Sequence, residues 1–231
     1  MTTQPLSEKL TVFILNLDKG KMYENLFDSI YSDLIASLLA KYHVQRARSL
    51  SGAQRHLNEH QPIAILLPDP AVTLKQNSAL LGQVINYVQA GGFAIFSCNF
   101  SSFINESTMD RFWKKSWSLD WKFGDYHRTD VYLNRSITQL PMSSLPNGYS
   151  QKAVFLKNVA NDDSVYRPSS DSVTQSLVFP SVPANPNEAA VALTKVGEGW
   201  LGYIGDVNNE QGSQAVILSM LELAAKHSAS K

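Results

Sequence analysis

The chain has 231 residues and no formal net charge, because 20 Lys and Arg balance 20 Asp and Glu. Hydrophobic residues make up 44% and charged residues 17%, a composition that excludes disordered, collagen-like and coiled-coil classes. The chain lacks the basic surplus that binding to nucleic-acid phosphates requires, so we expect no nucleic-acid partner.

The first apolar run, Leu10–Leu17, predicts a β-strand that is buried on both faces. Its eight residues are too few to cross a bilayer. Asp18 and Lys19 follow it directly, where a signal peptide would have small residues. The single cysteine of the chain agrees with a reducing compartment. We therefore predict a cytoplasmic protein that makes no membrane contact.

Strands and helices alternate through the first hundred residues. Further apolar runs predict strands at 44–47, 62–67 and 93–97. Helices are predicted between them, at 30–40, 54–59 and 80–88, and Gly91-Gly92 ends the third. This alternation predicts an α/β fold, with a flavodoxin-like, doubly wound, mostly parallel sheet and helices on both faces. The runs 10–17, 62–67 and 93–97 are expected to lie parallel.

The second half of the chain is less regular. Phe112, Trp113 and Trp117 are expected on one helix, and a strand is predicted around Val131 and Leu133. The turn-rich stretches are predicted as loops, at 141–150, 161–172 and 181–187. Clustered aromatic residues such as these tryptophans belong to a core more often than to an interface.

A C-terminal hairpin and a last helix complete the predicted fold. The hairpin strands are residues 189–195 and 199–204, with Gly197 at their turn. The helix begins at Ser213. Because we find no internal repeat and no low-complexity tract, we predict one domain over residues 1–231.

Polar residues follow several predicted strands at their carboxyl ends. They are Asp18, Asp69, Cys98 and Asp206. Open α/β sheets bind ligands outside these strand ends, so we expect the four residues and His127 to line one small-molecule pocket. Asp206 also has a simpler interpretation, as a cap of the last helix.

Cys98 is the most reactive candidate, because it stands at a strand-to-helix turn. Several enzyme families hold a nucleophile there, whereas a lone cysteine is commonly a small buried hydrophobic residue. Both interpretations stay open. A following helix would lower the thiol pKa through its dipole, and native Cys98 would then react rapidly with iodoacetamide.

The histidines supply one candidate base. His127 stands in a polar stretch that is predicted to be a loop entering a strand. The alternative to a catalytic base is an ordinary loop histidine. His56 and His60 are one helical turn apart but have no third ligand at a metal-site spacing, so a solvated helix face is expected. No nucleotide-binding glycine motif occurs, and we predict no cofactor and no metal.

The order of several short motifs resembles the class I glutamine amidotransferase-like superfamily, and within it most closely the ThuA-like (trehalose-utilisation) branch. The strand that enters Cys98 matches the nucleophile position of the superfamily. The motifs of the branch are Gly91-Gly92-Phe93, Phe123 with His127, Asp163 with Tyr166, and the hairpin Gly197-Glu198-Gly199-Trp200 running to Gly205-Asp206.

The resemblance implies a cysteine-dependent hydrolase or lyase acting on a small carbonyl, amide or sugar-derived compound. Cys98 would be the nucleophile and His127 the base. Asn99 and backbone N–H groups would stabilise an oxyanion. Substrate contacts are expected from Asp18, Asp69, Asn99 and Asp206.

Of two departures from the superfamily pattern, the first favours a rival hypothesis, whereas the presence of Cys98 and His127 favours the enzyme. Phe100 stands where active members usually have a glycine, and no His-x-Glu pair occurs near the C-terminus, which argues against glutaminase chemistry. The rival is a non-catalytic member of the same fold that binds a small ligand or a partner protein over the strand ends. Homo-oligomerisation stays open in both cases.

Overall fold

The computed structural model describes residues 9–17 and 27–230, and its strands form one nine-stranded sheet. The sheet order is β2-β1-β3-β4-β9-β8-β7-β5-β6. In chain order the strands are β1 (Thr11–Leu15), β2 (His43–Ala47), β3 (Ala64–Leu67), β4 (Phe93–Phe96), β5 (Lys122–Leu133), β6 (Gly148–Lys157), β7 (Ser164–Arg167), β8 (Val191–Val196) and β9 (Gly199–Ile204).

Helices connect the strands and cover the sheet. They are α1 (Ser32–Lys41), α2 (Leu50–Glu59), α3 (Ser78–Gln89), α4 (Phe100–Phe103), α5 (Glu106–Trp117) and α6 (Gln211–Ala229). Short 3-10 turns lie at Pro70–Thr73, Lys75–Asn77, Met142–Ser144 and Asn161–Asp163. Within the described ranges, none of the helices combines the length and apolar character needed to cross a bilayer.

The first half of the sheet is parallel. β1, β3 and β4 are adjacent and parallel, as the three apolar runs predict. β2 pairs with the outer edge of β1, and β9 pairs with the other edge of β4, both in parallel. The order β2-β1-β3-β4-β9 is that of a flavodoxin-like sheet. The predicted α/β fold class is therefore confirmed.

The second half of the sheet is antiparallel and larger than the predicted hairpin. The hairpin itself is confirmed, since β8 pairs with β9 and Lys195 lies opposite Trp200. β7, β5 and β6 extend it, each antiparallel to its neighbour.

Strand β6 is paired along both of its edges. Ala153 lies opposite His127 of β5 on one edge and forms an antiparallel bridge with Asp206 on the other. On that second edge the Val154 N–H donates to the Gly205 carbonyl at 3.0 Å. The β5–β6 hairpin therefore folds back to the carboxyl end of β9.

Two of the predicted loops contain strands, so these predictions are wrong. β6 begins at Gly148, within the predicted loop 141–150, and β7 lies within the predicted loop 161–172. Val165 and Tyr166 of β7 are fully buried although polar residues surround them in the sequence. Pairing with β5 and β8 has overridden the local turn composition.

Helices pack on both faces of the sheet, as predicted. On one face the core contains Leu38 of α1 and Val216 of α6. On the opposite face it contains Val84 of α3 and Trp113 of α5. Two apolar layers thus enclose the parallel strands, which explains why those strands are apolar along their whole length.

The tryptophans of the second half belong to this core. Trp113 packs edge-on against Phe96 at 5.3 Å and against Tyr203 at 5.8 Å between ring centroids. Trp117 and Trp121 are also buried. The expectation that these aromatic residues form core rather than interface is confirmed.

Two glycines fix the turn of the β8–β9 hairpin. Gly197 has a φ of 59°, in the left-handed region that favours glycine. A Cβ on Gly199 would lie far inside contact distance of the carbonyl oxygens of Val88 and Gly92. The Trp200 N–H donates to the same Gly92 carbonyl at 3.0 Å. The Gly-x-Gly motif therefore packs the hairpin turn against the end of α3, at the amino edge of the sheet.

This packing predicts opposite effects for two glycine-to-alanine changes. We expect Gly199→Ala to lower the free energy of unfolding by about 2–3 kcal/mol, because the methyl group must displace backbone. Gly82→Ala is the matched control: a Cβ there would meet no atom within 4 Å, and the site is inside α3. That change should raise the free energy of unfolding by about 0.5–1 kcal/mol. Urea denaturation measures both, and equal effects would contradict the close approach.

Candidate functional site

Cys98 occupies a strained turn between β4 and α4. Its φ is 60°, Asn99 has φ and ψ of −77° and −3°, and the Phe100 N–H donates to the Ser97 carbonyl at 3.1 Å. These values match a type II′ turn, whose first central position favours glycine. Strain of roughly 1–3 kcal/mol is typical when another residue takes such a position. The turn therefore shares its strained backbone with the nucleophile elbows of hydrolases.

The thiol of Cys98 is nevertheless buried, with 3% of the residue exposed. Its Sγ atom lies 3.4 Å from the Ser97 hydroxyl. Loss of hydration raises the pKa of Cys98 to about 12, and the negative charge of Asp206 adds to this, although the contact with Ser97 lowers it. The predicted lowering of this pKa is wrong, because burial outweighs the dipole of a helix of only four residues.

His127 lies in the middle of β5 rather than in a loop. Its ring stacks on the buried ring of Phe155, with centroids 4.6 Å apart. β6 separates it from the end of β9, because Ala153 pairs with His127 on one edge and with Asp206 on the other. No hydrogen bond joins His127 to Cys98, so the two residues do not form a nucleophile–base pair in this structure.

Asp69 joins the ends of two parallel strands. One carboxylate oxygen accepts hydrogen bonds from the Asn16 side-chain amide and the Leu17 N–H, both at 2.9 Å. The other accepts from the Ala71 N–H at 2.9 Å, which caps the 3-10 turn after β3. Asp69 is 5% exposed, so it ties β1 to β3 from within the protein. Asp18 lies outside the described residues.

Asp206 holds the loop between β9 and α6. Its two carboxylate oxygens accept hydrogen bonds from the Asn208 N–H and the Glu210 N–H, each at 2.7 Å. Burial raises its pKa. The simpler expectation for Asp206, a cap of the last helix, is wrong: Glu210 is the N-cap residue of α6 and its side chain makes no capping hydrogen bond, whereas Asp206 orders the loop before the helix. Asn99, the remaining candidate, is buried in the Cys98 turn.

One cleft follows the ends of the parallel strands. Its volume is about 740 Å³, and the lining that the structure describes contains no charged side chain: Leu17, Leu50, Pro70, Ala71, Thr73, Leu74, Gln76, Asn77, Phe103, Ile104, Asn105 and Thr108. None of Asp69, Cys98 and Asp206 is among these residues. Within the described chain, the predicted site residues are thus not gathered around this cleft.

A second and larger cleft lies beneath residues 173–183, which we call the arm. An antiparallel bridge between Val173 and Pro183 closes the base of the arm. The Gln175 N–H donates to the Arg128 carbonyl at 2.7 Å and so attaches the arm to β5. The arm exposes most of its apolar side chains, with Leu177 and Phe179 at its tip.

The arm cleft has a volume of about 1190 Å³ and combines charged, amide and apolar groups. From the β5–β6 hairpin it is lined by Tyr126, His127, Arg128 and Lys152, and the loop after β9 contributes Asn208. The arm supplies Thr174, Gln175, Ser176, Leu177, Phe179, Pro180, Ser181 and Val182. Among the predicted site residues that the structure describes, His127 alone lines this cleft.

The charged groups of the arm cleft are held in place. The Arg128 guanidinium forms an ion pair with Glu210 at 2.5 Å and donates to the Ser150 hydroxyl at 3.3 Å. That hydroxyl donates to Gln175 at 2.7 Å. Burial lowers the pKa of His127, so its imidazole is neutral at physiological pH.

Sequence reasoning missed Arg128, Lys152 and the arm. Arg128 and Lys152 stand opposite each other on β5 and β6, and the apolar run 153–156 of β6 is a strand signal that the sequence interpretation did not use. The apolar run 177–179 within a polar stretch is the one signal that could have indicated the arm. In residues 9–17 and 27–230, no group of three or more His, Cys, Asp or Glu is arranged to hold a metal ion.

The fold is similar to that of solved ThuA-like proteins. A ThuA-like protein from Bacteroides uniformis has a TM-score of 0.64 and 9% identity, over 96% of this chain and 94% of that one. A ThuA-like protein from Parabacteroides merdae has a TM-score of 0.56 and 12% identity, over 95% and 90% of the two chains. At these identities the likeness shows the fold alone.

Part of a larger enzyme also has this fold. A β-galactosidase from the haloarchaeon Halorubrum lacusprofundi matches with a TM-score of 0.56 and 14% identity, over 95% of this chain but 31% of the enzyme. The sequence matches no protein-family model and no curated protein. The ThuA-like fold expected from the motifs is thus supported, and membership of the amidotransferase-like superfamily stays a prediction.

The burial of Cys98 predicts slow alkylation of the native protein. At pH 7.5 we expect iodoacetamide to leave Cys98 unmodified over the time in which N-acetylcysteine reacts completely, because the thiol is buried and protonated. In 8 M urea the residue should react fully. Intact-mass spectrometry measures both states. Alkylation of the native protein at the rate of the free thiol would show that Cys98 is an accessible thiolate.

Asp206→Ala should lower the free energy of unfolding by about 2 kcal/mol, since two part-buried N–H groups lose their acceptor. The cost should also depend on pH. Burial raises the folded-state pKa of Asp206, so between the unfolded value near 3.9 and the folded value the folded state binds more protons. Its stabilising contribution therefore decreases as the pH rises through that window. Urea unfolding at several pH values should give the largest difference near pH 4, and a difference that grows toward pH 7 would contradict this sign.

Proposed function

We propose that the protein is a non-catalytic binder of a small organic molecule, with the arm cleft as its binding site. The observation that carries the proposal is the lining of the cleft, where an apolar wall faces a few fixed polar groups. Ligand sites in proteins have this composition, and the volume of about 1190 Å³ is slightly above their common range of roughly 300–1,000 Å³. The cleft also adjoins the loop after β9, and open α/β sheets bind ligands at such strand ends.

The edge of the parallel strands is less suited to this role. Asp69 uses its carboxylate to join β1 and β3, and Asp206 uses its own to hold the loop before α6. The cleft beside these strands has no charged side chain in its described lining. In contrast, the arm cleft has a guanidinium, an ammonium group and two amides that can orient a polar ligand.

A cysteine-dependent hydrolase or lyase is the second candidate function. The positive φ of Cys98 favours it, because nucleophile elbows have such a strained turn. The buried thiol and the absence of a hydrogen bond to His127 argue against it. Rapid alkylation of native Cys98 in the experiment above would favour the enzyme over the binder.

Titration with the uncharged fluorophore N-phenyl-1-naphthylamine tests binding in the arm cleft. We expect saturable fluorescence enhancement with one site per chain. Leu177→Ser should weaken this binding about tenfold, because Leu177 lines the cleft and its apolar contact is lost.

Leu39→Ser is the matched control. Leu39 is an exposed leucine of α1 and lies outside the arm cleft, so this change should leave the affinity unchanged. Absence of saturable binding, or equal weakening by both changes, would contradict the proposed site.

A further inference from the structure

The charges around the arm cleft do not balance. Arg128 is paired with Glu210, and Lys157, beyond the cleft, lies near Asp125 and Glu188. Lys152 is half-buried and lines the cleft, but no described carboxylate lies within 4.0 Å of its ammonium group. The cleft therefore contains one cation without an acidic partner among the described residues.

An aromatic ring fixes the position of this cation. The Lys152 ammonium lies 5.0 Å from the centroid of the Tyr126 ring, within the range of a cation–π interaction. Such an interaction orients the ammonium but leaves its N–H donors available, because a ring face accepts at most one of the three. An anionic group in the cleft would receive these donors.

Neighbouring groups favour the same kind of ligand. The side-chain amides of Gln175 and Asn208 line the cleft and can donate to an oxyanion. His127 also lines it, and its neutral imidazole adds no charge. Glu210 is committed to Arg128, so its carboxylate is already neutralised when an anion enters.

The opposite wall of the cleft is apolar. Leu177 and Phe179 remain 105% and 73% exposed although both line the cleft, so they are available to contact a ligand. Val182, also on this wall, is 54% exposed. A ligand that consists of an acidic group alone would leave this surface in water.

We propose that the arm cleft binds a soluble amphiphilic organic anion, whose acidic group pairs with Lys152 and whose apolar body packs against Leu177 and Phe179. This inference rests on the proposed function, since it assigns a ligand class to the same cleft. The acidic group is a carboxylate, sulfonate or phosphate ester, which all offer oxygens to an ammonium group. Its body is an aliphatic or aromatic group about the size of the apolar wall.

Two fluorophores that differ by one acidic group separate the inference from the proposed function. 8-Anilinonaphthalene-1-sulfonate has the ring system of N-phenyl-1-naphthylamine and adds a sulfonate. We expect the sulfonate probe to bind about tenfold more tightly than the neutral probe at low salt. High salt should reduce this preference, because the pairing is electrostatic.

Lys152→Met should remove the preference, since methionine keeps the apolar stem but carries no charge. The affinity for the sulfonate probe should fall about tenfold more than the affinity for the neutral probe, so that the ratio of the two affinities approaches one. Lys195→Met is the matched control, because Lys195 is an exposed lysine of β8 that does not line the cleft. It should change neither affinity, and circular dichroism of each variant confirms that it is folded.

The other possible outcomes distinguish failure of this inference from failure of the proposed binding function. If both probes bind wild type equally, or if Lys152→Met weakens both alike, the inference is wrong and the proposed binding function stands. If neither probe binds, both proposals fail. Binding to vesicles of phosphatidylcholine and phosphatidylserine without saturable binding of the sulfonate probe would overturn the inference in favour of a membrane surface.

Discussion

The candidate site depends on the pairing of β6 along both of its edges. One edge pairs with β5, and the other bonds to residues beside β8 and β9. Gly205 permits this second contact, because a Cβ there would overlap the Val154 carbonyl. The antiparallel hairpin is thereby fixed at the carboxyl end of β9. Without that closure Lys152 and Arg128 would have no defined position relative to the loop after β9.

Asp206 connects the paired edge of β6 to the groups that line the arm cleft. It forms the bridge with β6, and its carboxylate also orders the loop that contains Asn208 and Glu210. Glu210 in turn holds Arg128 on β5. A buried carboxylate that sequence reasoning assigned to substrate contact thus positions other groups from behind the cleft. The cost of burying its charge is reduced because both oxygens accept backbone N–H donors.

The parts of the fold that local pattern defines could be predicted from the sequence, whereas the parts that depend on distant pairing could not. β1, β3 and β4 are apolar throughout because both of their faces are covered, and that pattern is visible in the sequence. β7 has four residues in a polar context and exists only through its partners. Likewise, the turn position of Cys98 followed from the sequence, but its burial and the lack of a hydrogen bond to His127 depended on how later segments pack.

The arm and the β5–β6 hairpin would contribute differently to ligand binding, for an energetic reason. A monomeric protein gains nothing from exposing Leu177 and Phe179, and covering one such side chain is worth about 1.5–3 kcal/mol. Most of the affinity for an amphiphilic ligand would therefore come from the arm. An ion pair at a half-buried lysine contributes less to affinity, but it fixes which end of the ligand enters the cleft. Under this proposal the arm would determine how tightly a ligand binds, and the hairpin, positioned by β6, would determine which ligand binds and in which orientation.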